Sequence, residues 1–295
     1  MRYAKPPLTY DKQLELLVGR GLSCPDRDRA LQWLKRIGYY RLSAYFIPFR
    51  QAGADRFRDG TSINDVIDLY KFDGGLRLLT MQAVDRIEIG IRAVITYHLA
   101  HDLGSFGYAD AANFAKGYNH ADLMRALDRE EKKTSEVFVG HFRSKYTSEP
   151  VLPVWMATEL MTFGALSKMY ANIRTSLRKK IAKEFKLQEP VFTSWVHTVV
   201  AIRNTCAHHS RLWNRELAIK PELPKEWMAD GISNQRYYAI ALVLRTLLAE
   251  ISPHSRWKER LKAHFNEHPK VDLPAMRFPA GWQAETDWSL ETPPK

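Results

Sequence analysis

One segment constrains the fold of this chain more than any other. Between Asp73 and Asp102, the residues Leu76, Leu79, Ala83, Ile87, Ile91, Val94, Ile95 and Leu99 recur every three or four positions. An α-helix turns once per 3.6 residues, so this spacing lines one face with apolar side chains. Such a face must be covered, and helical spacings elsewhere supply the cover. They run over Asp11–Val18, Asp26–Ile37, Asn64–Phe72, Ala121–Lys145, Val154–Ile173, Leu177–Phe185, Val191–His208 and Asn234–Ile251. The fold class expected is mostly α, a bundle of packed helices.

Punctuation divides the bundle. Gly19 and Gly21 end the first helix and Gly38 the second, while Pro25 opens the second as a first-turn residue. The aromatic-dense stretch from Tyr39 to Arg50 is interrupted by Pro48, and it predicts a small β-hairpin over residues 44–58 that returns through Phe57. The expected organisation is an N-terminal helical and aromatic extension over 1–60, the helical bundle over 61–225, and a last helix with a tail over 226–295. Residues 1–10 read as an extended arm. The tail after Pro253 is rich in Pro, Trp and charge, and is expected along the surface.

Charge narrows the function. Forty-four Lys and Arg stand against 33 Asp and Glu, a net charge of +11. A folded chain this basic favours polyanions: nucleic acid, anionic lipid or an acidic protein. No stretch approaches the roughly 18 uninterrupted apolar residues of a membrane helix. Arg2 and Lys5 have no apolar run behind them, so no secretory leader is expected there. Two cysteines, Cys24 and Cys206, cannot make a disulfide framework, which suits a reducing cytoplasm.

The densest polar cluster runs from Arg203 to Arg215: Arg203, Asn204, His208, His209, Arg211, Asn214 and Arg215 at the end of an apolar helix. A guanidinium clamps phosphate through its fork of donors. An imidazole titrates near neutrality and moves protons. Together these groups suit RNA cleavage without a metal or other cofactor. Asn204 and His208 share a helix face, with His197 close to it. Arg203 and His208 stand about 140° apart around the axis, so one straight helix does not bring them together. A second copy of the chain, related by a two-fold axis, would complete the site. The segment 173–186 adds Arg174, Arg178, Lys179, Lys180, Lys183 and Lys186. These form either a phosphate-binding face or a solvated one. The plainer alternatives are a structural Arg203 paired with Glu159 or Glu88, and histidines that merely suit a helix C-terminus.

Arg203-Asn204 followed by three residues and His208 resembles the motif of HEPN domains. Further stretches agree: residues 5–10, Gly38 to Tyr45, Tyr70 to Asp73, Ile87 to Arg92, Glu159 to Ser167, and Arg203 to Arg215. As an ordered set over residues 5–220 they resemble the Abi-like family of bacterial abortive-infection proteins, of the AbiD and AbiF type. The resemblance implies a HEPN endoribonuclease toxin of phage defence or of a toxin–antitoxin pair, acting as a homodimer. Arg203, Asn204 and His208 would be catalytic. His209, Arg211, Asn214 and Arg215 would hold RNA or frame the site, with Arg178, Lys179 and Lys180 as further RNA contacts. Two other readings compete with cleavage. One is a non-catalytic module holding a small structured, regulatory RNA. The other is a protein-interaction bundle using the Leu76–Leu99 stripe.

Overall fold

The computed structural model describes residues 6–284 and Trp288. Residues 1–5 of the expected arm, Lys5 among them, and most of the tail beyond 284 lie outside the described residues. The described residues hold thirteen α-helices and no strand. They are α1 (Tyr10–Gly19), α2 (Arg27–Ile37), α3 (Tyr39–Phe46), α4 (Ile63–Leu103), α5 (His120–Lys133), α6 (Val137–Lys145) and α7 (Val154–Leu160). Then follow α8 (Phe163–Asn172), α9 (Thr175–Glu184), α10 (Glu189–Ala207), α11 (Lys225–Ala229), α12 (Tyr237–Ile251) and α13 (Trp257–Asn266). The mostly α class is therefore met. No helix of the described residues is long and apolar enough to cross a membrane.

The chain divides into two compact units, residues 1–78 with 261–272, and residues 79–260 with 273–295. The first division falls inside α4.

In the first unit, Asp26 caps α2 by accepting from the Arg29 N–H at 2.9 Å, which leaves Pro25 outside the helix. Gly38 ends α2 at φ +87°, a conformation that only glycine adopts without strain. The aromatic stretch that follows is helix where a hairpin was expected. Leu42, Tyr45 and Phe46 are all buried, and their spacing of three and four is helical. The hairpin shrinks to one antiparallel bridge between Arg50 and Phe57, with Gln51 N–H donating to the Arg56 carbonyl at 2.9 Å.

The two helices expected over 64–72 and 73–102 are one helix of 41 residues. Asp73, fully buried, holds the junction. It accepts from the Tyr45 hydroxyl at 2.6 Å and pairs with Arg77 one turn on. Burial and the Asp73 carboxylate push the Tyr45 phenol above its ordinary range. Gly75 follows because a Cβ there would lie 2.3 Å from the His264 ring.

In the second unit, Ala83, Ile87, Ile91, Ile95 and Leu99 of the α4 stripe are buried in the chain's own core. That consumes the face a protein-interaction reading would need. The helix expected over 154–173 breaks at Met161. Thr162 caps α8 by accepting from the Ala165 N–H at 3.2 Å. Arg92 collects the carbonyls released at the break, Thr158 and Met161, and pairs with Glu88 at 2.9 Å. The helix expected over 121–145 likewise breaks, into α5 and α6 after Thr134 turns extended. The tail is not a surface strap. Trp257, Met276, Phe278, Trp282 and Trp288 are buried, with Phe278 edge-on to Tyr238 at 4.9 Å. Aromatic area outweighed the charged residues around it.

Candidate functional site

The α10 helix positions the polar cluster. Its face of Phe192, Trp195, Val196, Val199, Ile202 and Cys206 is buried, and α8, α9 and α12 pack against it. The opposite face carries His197 and Asn204 to the surface, while Arg203, beside the apolar face, is exposed in the last turn. The expected stripe therefore divides the helix as the spacing predicts.

The helix then ends in a tight geometric device. His208 is the last half-helical residue, His209 takes φ +54°, and two backbone bonds close the end. His209 N–H donates to the Cys206 carbonyl at 2.9 Å, and Ser210 N–H to the Thr205 carbonyl at 3.0 Å. This is the Schellman arrangement, in which glycine normally takes the position of His209. A second positive φ, +46°, falls at Asn214. Backbone strain of this kind concentrates where function requires a side chain at a particular place. Replacing His209 by Gly should relieve about 1 kcal/mol of left-handed strain. The denaturant midpoint of unfolding should then rise. A fall would show that the imidazole's own contacts outweigh the strain.

The loop after the helix end is anchored by apolar residues. Leu212, Trp213 and Leu217 are buried, while Arg211, Asn214 and Arg215 between them are half-buried. The strap continues alongside α10. Glu222 N–H donates to Ser194 Oγ and Trp195 Nε1–H to the Glu222 carbonyl, each at 2.8 Å. Arg236 donates to the Asn214 carbonyl at 3.3 Å.

Arg203 and Asn204 come together, with Nη1 of the arginine 3.4 Å from Oδ1 of the asparagine. His208 follows Asn204 by one turn, its N–H on the Asn204 carbonyl at 3.0 Å. Arg203 and His208 lie about 140° apart around the axis and about 7.5 Å apart along it. The two carboxylates considered for a structural Arg203 are otherwise placed. Glu88 pairs with Arg92, and Glu159 is exposed, as is Arg203 itself. The cluster is not spent on the core. The carbonyls at the end of α10 make that end electronegative, so anion affinity there has to come from the guanidinium groups around it.

The basic segment splits in two. Arg178 is a structural arginine, pairing with Glu189 at 2.8 Å and donating to the Ala171 carbonyl and Thr175 Oγ1, both at 3.1 Å. It ties α8, α9 and α10 together. Lys180 pairs with Asp102 at 2.5 Å and Lys186 with Glu250 at 3.0 Å. Arg174, Lys179 and Lys183 are exposed.

One feature of this surface, a cleft, leaves no pattern in the sequence. An open depression of about 600 Å³ lies between α8 and α10, lined by Lys168, Asn172, Thr193, His197 and Lys220 among others. Lys220 is held by Glu216 at 3.0 Å, which lowers the Glu216 carboxyl below its usual range. Lys168 and Lys220 are 52 positions apart, and no spacing in the chain pairs them.

The fold and this site define an all-helical protein that presents an arginine–asparagine–histidine cluster at a helix end. A family model described as Abi-like protein matches residues 32–214, more than half of the chain, and the chain belongs to that family. Membership points to phage defence by abortive infection. No match was found among curated proteins or solved structures.

Proposed function

We propose that this chain is a metal-independent HEPN-type endoribonuclease toxin of phage defence, with a composite site built by the motifs of two copies. The observation that carries the reading is that Arg203, Asn204 and His208 all reach the surface at the end of α10 while the helix's apolar face is buried. In a dimer, the arginine and histidine of facing motifs converge on one linkage without bending either helix.

The chemistry is a transesterification. His208 of one copy accepts the proton of a ribose 2′-hydroxyl, and the freed oxygen attacks the adjacent phosphorus. Arg203 offsets the charge that develops on the phosphorane oxygens. The bond to the 5′-oxygen breaks, and that oxygen takes a proton from the motif of the second copy. The products are a cyclic 2′,3′-phosphate and a 5′-hydroxyl. Asn204 orients the arginine it touches.

The test is incubation of the purified chain with single-stranded RNA in EDTA, with end chemistry read on the products. Cyclic phosphate and 5′-hydroxyl ends, made by a species sedimenting as a dimer, are expected. Salt-dependent binding of RNA with no products would replace the reading by the non-catalytic RNA-holding one.

A further inference from the structure

The other dense cluster lies in the first unit, far along the chain from Arg203–Arg215. His264, Glu267 and His268 occupy the end of α13 and the turn after it, and one donor atom from each lies within 4.8 Å of the others. Glu267 N–H donates to the Ala263 carbonyl at 3.0 Å and His268 N–H to the Phe265 carbonyl at 3.1 Å. The helix therefore tightens at its last turn and carries all three side chains to one side.

Two features prepare these groups for a cation. The first is the tautomer of His264. Its Nε2 stands 2.9 Å from the Phe72 carbonyl, which can only accept, so Nε2 carries the proton and Nδ1 keeps its lone pair. A metal-ligating histidine characteristically donates its other ring N–H to a carbonyl or carboxylate in this way. The second is the helix end itself, whose dipole favours positive charge. The rings are also held in place. Phe72 stacks on His264 at 4.9 Å and meets His268 edge-on at 5.5 Å, and the bare Gly75 leaves room for the His264 ring.

We propose that His264, Glu267 and His268 form a binding site for a divalent transition-metal ion, with zinc its occupant. Two imidazoles and one carboxylate are a borderline-soft donor set that suits zinc over magnesium or calcium. Donors around tetrahedral zinc stand about 3.3 Å apart, given bonds near 2.0–2.1 Å. The three donors, within 4.8 Å of one another without an ion, would close to that spacing on binding. The fourth position is left to water. Bound zinc would clasp the last turn of α13 to α4 through the His264–Phe72 bond.

The experiment uses the full, untagged chain, stripped with EDTA and dialysed. Titration with Zn²⁺ should show one ion per chain, and Mg²⁺ should not compete. Co²⁺ should give the visible absorption of a four-coordinate site. Glu267→Gln and His268→Ala should each weaken Zn²⁺ binding at least about tenfold, since losing even an outer partner of a ligand costs 10–100-fold. Zn²⁺ should raise the melting temperature of the wild type and leave that of the Glu267→Gln/His268→Ala double variant unchanged. A wild type that takes up no zinc overturns the proposal. So does a double variant that is folded by circular dichroism and binds zinc as the wild type does. None of these readouts involves RNA, so the outcome stands apart from that of the nuclease test.

Discussion

Arg203→Ala and His208→Ala should each abolish growth arrest and lower single-turnover RNA cleavage by about 10²–10⁴-fold, the range that one proton-transfer or charge-stabilising group contributes. Both side chains are exposed, so neither substitution should move stability by more than about 0.5 kcal/mol. The combination separates a chemical role from a structural one. Expression of each variant beside the wild type, with sequencing of RNA ends from the cultures, reads the first quantity, and urea unfolding reads the second. Full toxicity in both variants would remove these residues from the site. Asn204→Ala should lose less, because it acts on the arginine and not on the scissile bond.

The largest stability effect is expected at Asp73. Its carboxylate is fully buried between the Tyr45 hydroxyl and the Arg77 guanidinium, and the Arg77 side chain is itself only 10% exposed. Asp73→Ala strands a buried positive charge with one neutral hydroxyl beside it, a loss of about 3–5 kcal/mol. Removing both charges, as in Asp73→Ala with Arg77→Met, should recover most of that, since the cost lies in the unpaired charge more than in the missing bond. Equilibrium unfolding of the three variants gives the coupling directly. An Asp73→Ala chain as stable as the wild type would show that water reaches Arg77.

Particular residues show where local pattern was enough. The α10 stripe from Phe192 to Cys206 and the α4 stripe from Ala83 to Leu99 both lie in the core as their spacing predicts. Periodicity repeats over many turns, so tertiary contacts rarely overturn it. The breaks and joins were harder to read. Phe72 and Asp73 look like the join of two helices, yet α4 runs through them because the buried Asp73–Arg77 pair and the close His264 ring occupy that turn. Met161 looks like mid-helix, yet the chain breaks there because Thr162 can cap a new helix and Arg92 can take the carbonyls set free. Arg178 carries the same charge as Lys179, and only Glu189 distinguishes a structural arginine from an exposed basic side chain.

The sequence by itself determined the helical class, the faces of the long helices, the basic balance and the polar cluster at 203–215. These are properties of neighbouring residues, set by a turn of 3.6 residues and by charge. Only the tertiary structure decided that the tail's tryptophans are buried, that the cleft beside His197 exists, and that His264 aims Nε2 at the Phe72 carbonyl. Those depend on which distant segments share space, and burial of apolar area settles that across the whole chain at once, without leaving a local mark.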